Sequence, residues 1–154
     1  MPITMNDVRA WLDAEEVNYT DAKRLGVAMI PHLMELVQGG DLGLASKAAY
    51  LASLIKSKKA AVVVEVAAAS QEPILRVAAA SGIKNLPVNQ AEKILDLLSQ
   101  DPDAGIRKVV IKSAVHLKSP VALAKIKKMA KSDPEVFIRD LAASTAKRMK
   151  KINP

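Results

Sequence analysis

The chain has no cysteine, which excludes thiol catalysis, cysteine-ligated zinc and any disulfide framework. Aromatic residues make up only 3% of it (one Trp, two Tyr, one Phe), so a core must be built from Ala, Val, Ile, Leu and Met. The two histidines, His32 and His116, are far apart in sequence, and no His/Asp/Glu spacing forms a metal-ligand set. Long apolar runs are missing: Ala60 to Val64 stops at Glu65, far short of the roughly 18 residues a membrane span needs. Residues 1–13 lack the basic start and apolar stretch of a secretory signal, so a soluble, cytoplasmic protein is expected. No Ser-His-Asp or nucleophile-elbow pattern occurs. Gly39-Gly40 reads as a helix-ending turn, because no Lys-Ser/Thr comes after it as in a phosphate loop. Glu15 and Glu16 are adjacent and diverge on a helix, so they make no facing acid/base pair. The expectation is a protein with no catalytic residues, no metal and no cofactor.

What the chain does have is repetition. The segments Leu44 to Ile55, Leu75 to Leu86, Ile106 to Leu117 and Ile138 to Met149 align, and their starts lie 31, 31 and 32 residues apart. Such a period marks a solenoid, in which each unit is one supersecondary piece that cannot bury its own apolar face. An acidic residue stands three positions before each start, at Asp41, Glu72, Asp103 and Glu135. Pro and Asp in the preceding breakers suit helix N-termini, where a missing amide hydrogen costs nothing and negative charge complements the helix dipole. A further helical segment precedes each copy: Asp21 to Val37, Ser57 to Ala69, Asn89 to Ser99 and Pro120 to Lys131. Pro31 is expected to kink the first of these. Ala60 to Ala67 is β-branched enough to suggest a strand, but the repeat register overrides so weak a propensity.

These segments predict an all-α fold: a right-handed α-solenoid of about four helix pairs with an N-terminal capping helix. One domain is expected over 1–154, with the cap in 1–20 and units at about 21–56, 57–87, 88–118 and 119–151. The cap helix runs around Asn6 to Glu15, and Trp11 is expected to pack it over the open end of the first unit.

A second helix that opens with an acid, then an aliphatic-Arg pair, then Ala-Ala, a small residue and Leu resembles the HEAT repeat. Residues 133–146 carry that pattern best, with Ile138-Arg139 and Ala142-Ala143, and Ile106-Arg107 stands close behind. The short period is similar to the compact bacterial and archaeal form. The first copy departs with Ala45 in place of Arg, and the third with Val110-Ile111 in place of Ala-Ala. The resemblance implies a scaffold class that hosts many binding roles, and it implies little about chemistry.

On a helical wheel, positions 0, 4, 5, 8 and 11 of each copy (counting the Leu/Ile start as 0) form an apolar arc, the expected core. Positions 2, 6 and 10 lie opposite and vary, and the resemblance implies that they line a concave surface. That stripe contains Tyr50, Ser81, Lys108, Lys112, His116, Ser144 and Arg148, the candidate partner-binding residues. Arg76, Arg107 and Arg139, at position 1, flank the core arc and are expected to form a structural ladder to the acids before the helices.

Charge is uneven. Residues 1–104 carry 10 Lys+Arg against 13 Asp+Glu, a net of −3, whereas residues 105–154 carry 13 against 3, a net of +10. The resulting functional expectation is a monomeric, non-enzymatic scaffold that holds a protein partner on its concave face, with no membrane association. The basic C-terminal third keeps nucleic-acid binding as the alternative. Scarce aromatics speak against single-strand stacking, and against a HEAT-like DNA glycosylase.

Overall fold

The computed structural model describes residues 2–154. Its elements are helices α1 (Met5–Leu12), α2 (Tyr19–Ala22), α3 (Ile30–Val37), α4 (Leu42–Ser53), α5 (Lys58–Ala68), α6 (Pro73–Gly82), α7 (Val88–Leu98), α8 (Ala104–Ala114), α9 (Pro120–Ser132) and α10 (Val136–Ile152). Two 3₁₀ segments, Lys23–Met29 and Ile83–Asn85, lie between them. The fold is all-helical, an α-solenoid.

Local chemistry explains most boundaries. Thr4 and Asp7 form a reciprocal capping box at the start of α1: the Asp7 amide donates to Thr4 Oγ1 and the Thr4 amide to Asp7 Oδ2. Ser57, Ser119, Asp41 and Asp103 cap α5, α9, α4 and α8 with side-chain oxygens that accept backbone amides. Glu72 and Glu135 occupy the same position before α6 and α10 without a side-chain hydrogen bond. Pro73 and Pro120 sit in first turns, where a missing N–H is harmless. The β-branched stretch 60–67 is helical within α5 and turns Val63 and Val64 inward, leaving Val62 outside.

One expected helix is broken elsewhere than anticipated. The segment from Asp21 to Val37 is interrupted at Gly26, whose φ of 71° and ψ of −153° lie outside helical space. Positive φ is cheap only without a Cβ, so the glycine makes the break. Pro31 falls in the first turn of α3 and introduces no kink.

The helices stack in two layers. First helices α3, α5, α7 and α9 pack in succession, and second helices α4, α6, α8 and α10 form the other layer. Every residue at positions 0, 4, 5, 8 and 11 in the first three copies is buried, from Leu44 through Leu117. Each fully buried Leu or Ile there contributes about 1.5–3 kcal/mol. In the last copy Ile138, Ala142, Ala146 and Met149 are buried and Ala143 is exposed. Position 5 of the first three copies is covered by the next unit along.

At one crossing two neighbouring helices of the second layer come unusually close. A Cβ on Gly82 would lie 2.7 Å from Ser53 Cβ, so α4 and α6 meet at this glycine. At this seam and the next, buried serines are satisfied across units. Ser53 Oγ accepts from Asn85 Nδ2 at 3.1 Å, while Ser113 Oγ accepts the Lys84 amide at 3.0 Å and donates to the Ser81 carbonyl at 3.2 Å.

The N-terminal segment closes one end of the stack. α1 packs against α3 and α4, buries Val8 and Leu12, and sets Trp11 half-buried against the core. Two side chains hold it: Lys47 Nζ donates to the carbonyls of Leu12 (3.0 Å) and Ala14 (3.3 Å), and His32 Nε2 lies 2.9 Å from the Ile3 carbonyl.

Candidate interaction surfaces

Two of the three position-1 arginines, Arg76 and Arg107, make a ladder in which each rung reaches forward into the next unit. Arg76 donates from Nε to Asp101 Oδ2 at 2.8 Å and from Nη2 to Asp101 Oδ1 at 3.4 Å. Arg107 repeats this on Asp133 at 2.8 and 3.1 Å. The third donor, Nη1, turns back to two carbonyls of the arginine's own turn. These are Ser70 and Gln71 for Arg76, and Asp101 and Pro102 for Arg107. The carboxylate is therefore not the acid three positions before the aligned start, which stands at the N-cap position. It lies two residues earlier, where it also accepts an amide of its own turn: Asp103 N on Asp101 and Glu135 N on Asp133. One aspartate thus shapes the turn and receives the preceding unit.

Both rungs are shielded. The Arg107 and Asp133 side chains are 8% and 3% exposed. Burial by itself raises the Asp133 carboxyl, but the Arg107 hydrogen bonds, the Glu135 amide and the positive charges of Arg107 and Arg139 outweigh it and hold it below the ordinary carboxylate range. The Arg107 guanidinium is correspondingly raised, chiefly by its hydrogen bonds to Asp133. A cleft of about 480 Å³ opens beside this rung, lined in part by Lys125, Lys128 and Met129. Lys125 is paired to Asp96 at 2.6 Å, tying α9 to α7.

Along the second-helix stripe the two halves differ. Tyr50 is half-buried: its ring meets Tyr19 edge-on at 4.9 Å and 72°, and the Lys84 amine stands 5.9 Å from its centroid. Ser81 is also half-buried. The N-terminal segment already occupies the start of the stripe, so Tyr50 is a seat for Tyr19 rather than an open contact residue. In the last two units Lys108, Lys112, Ser144 and Arg148 are exposed on α8 and α10, which pack side by side. Lys108, Lys112 and Arg148 have no ion-pair partner among the described residues.

His116 is exposed but lies beyond the end of α8, in the turn that leads to the Ser119 cap of α9, and so departs from the helical stripe. The buried serines 53 and 113 carry no signal in the sequence, since a lone serine inside an apolar arc does not announce its cross-unit partner. Basic residues spread over both layers: Lys127, Lys128 and Lys131 on α9, and Lys147, Lys150 and Lys151 on α10. Among the described residues no group of His, Asp and Glu is placed to hold a metal, and no helix is long and apolar enough to cross a membrane.

Paired helices, stacked in two layers and tied by an Arg–Asp ladder, define a class of α-solenoid repeat. The family model for HEAT repeats matches residues 60–147, and the chain belongs to that family. The match spans the units that carry the ladder and leaves out the N-terminal segment and the first helix pair. HEAT repeats are generally scaffolds for protein interaction. No curated protein and no solved structure matches the chain.

Proposed function

We propose that the chain is a non-enzymatic scaffold that holds a protein partner along the stripe of its second helices, mainly in the last two units. The observation that carries this reading is the contrast between the two kinds of cation. Arg76 and Arg107 are held by internal aspartates, whereas Lys108, Lys112 and Arg148 stand exposed and unpaired on adjacent helices. Unpaired cations on neighbouring rigid helices suit an acidic partner segment, which they would orient and steer electrostatically. Alanine substitution of Lys108, Lys112 and Arg148 against a captured partner tests it: affinity falls and its salt dependence flattens. Unchanged affinity in all three variants would overturn it.

Nucleic-acid binding is the second reading, favoured by the net charge of +10 in residues 105–154. Phosphate contacts release counterions, so affinity would fall linearly with salt on a log–log scale. A gel-shift titration over a salt series decides it, and absence of a shift at low salt removes it. Spread of the lysines over both layers gives this reading less support than the scaffold.

A further inference from the structure

The starts of the second helices carry an apolar row on the exposed stripe. Counted from the aligned starts, Ile74, Gly105 and Phe137 hold position −1, which falls among positions 2, 6 and 10, opposite the core arc. Ile74 and Phe137 are 44% and 51% exposed, and Val77 at position 2 of α6 is 37% exposed. Ile74 and Gly105 stand exposed with a unit on either side, so the position faces off the stack whichever unit adjoins. Since α8 packs on both α6 and α10, helices about 8–10 Å apart bring the three positions into one row. The middle member of the row has no side chain. Among the described residues, a Cβ on Gly105 would meet only Asp103, at 3.0 Å from Oδ1, and nothing from α6 or α10. The row is therefore a notch, floored by Gly105 and walled by Ile74 and Phe137.

We propose that this notch takes one large apolar side chain of an acidic peptide segment, and that this segment is what the stripe binds. The inference rests on the scaffold reading above and adds the chemistry of the partner. Charge chooses the occupant. Lys108 and Lys112 continue the line from Gly105 along α8, about 4.5 and 10.5 Å further on at a rise of 1.5 Å per residue. Their spacing keeps all three on one helix face, and neither lysine has an ion-pair partner among the described residues. Asp140 is the one acid on the stripe of the last two units, against Lys108, Lys112 and Arg148, so the charge there stays positive. A segment with an apolar anchor beside carboxylates matches both features: the seated anchor supplies most of the affinity, and the charges steer and orient it. A nucleic-acid backbone would match the lysines and leave Ile74 and Phe137 uncovered.

The test selects random short peptides, displayed on phage, against the full chain and measures the enriched peptide by fluorescence anisotropy. Enriched sequences should set a large aliphatic or aromatic residue beside Asp or Glu. Filling the notch with Gly105→Leu and removing its wall with Phe137→Ser should each weaken that peptide about tenfold. Lys112→Ala should weaken it several-fold and flatten its salt dependence. Val62→Ser, at an exposed site on α5 in the other layer, should change nothing. Unfolding midpoints check that each variant is folded; Gly105→Leu presses on the Asp103 cap, so Phe137→Ser decides if the leucine variant unfolds. The notch is overturned if selection enriches nothing or enriches peptides without acids, or if Phe137→Ser leaves the affinity unchanged. Where the notch variants are silent but alanine at Lys108, Lys112 or Arg148 still weakens binding, the scaffold reading stands and the notch alone falls. Where all are silent, both fall. The notch is also overturned if Phe137→Ser abolishes self-association of the full chain in sedimentation, or its binding to anionic vesicles or duplex DNA, since these would then be the occupant.

Discussion

The first two units and the last two share a register but present different surfaces. In the first half, the segment before the repeats lies on the stripe: Tyr19 sits on Tyr50, and Lys47 holds the carbonyls of Leu12 and Ala14. In the second half the stripe exposes Lys108, Lys112 and Arg148, together with Asp140 and Ser144, with nothing laid over them. The ladder shows a parallel contrast, with two rungs closed onto aspartates and a third, at the C-terminal end, open. Equivalent positions therefore take their role from the neighbouring unit or segment that packs on them, and residue type alone does not assign it.

The strongest way to break this comparison is to open an inner rung. Asp133→Ala strands a buried Arg107, and removing one partner of a buried pair costs about 3–5 kcal/mol. Arg139→Gln, at the open rung, loses only the carbonyl hydrogen bonds of Nη1 and should cost about 0.5–1.5 kcal/mol. Urea unfolding of the two variants measures the difference, and equal losses would mean that the rungs are not distinct. Asp133 also sets a pH dependence. Its folded-state pKa is depressed, so its contribution is complete above the unfolded value of about 4 and is lost as pH falls through the lower folded value. Stability of the native chain should therefore fall more steeply below about pH 4 than that of Asp133→Asn.

Gly82→Ala probes the tightest seam. The added methyl meets Ser53 Cβ, and the shift required should cost about 1–3 kcal/mol in thermal unfolding. A double-mutant cycle between Tyr19 and Tyr50 sharpens the contrast on the stripe, with an expected coupling of about 0.5–1.5 kcal/mol. Coupling near zero would show that the N-terminal segment does not seat on the first unit. The smallest effect belongs to the open half: Lys108→Ala with Lys112→Ala should leave the unfolding midpoint within about 0.5 kcal/mol of the native chain while weakening partner binding.

The apolar columns are legible in the sequence because a helical period is a local property that survives in one strand of text. Leu44, Leu75, Ile106 and Ile138 declare themselves by spacing alone. The caps are partly legible: Asp41 and Asp103 accept amides at their own helix starts, whereas Glu72 and Glu135 make no such bond in the same place. For the ladder the sequence points to the right arginines and the wrong acids, because Asp101 and Asp103 are both plausible partners in one dimension. Only packing shows that Asp101 faces the neighbouring unit while Asp103 faces its own helix. Tyr50 and His116 are misplaced by the wheel for a related reason, since a wheel assumes an endless helix with nothing lying on it. α8 ends at Ala114, and Tyr19 comes from outside the repeat.

Local periodicity, capping chemistry and the repeat interval determined the helices, their pairing and the membership of a solenoid family, because each depends on residues within a turn or two. The tertiary structure alone decided which carboxylate closes each rung, since those partners lie 25 and 26 residues apart. It also decided that Ala143 is open while Ala49 and Ala80 are sealed. The three alanines are chemically identical; they differ in whether another pair of helices stands against them.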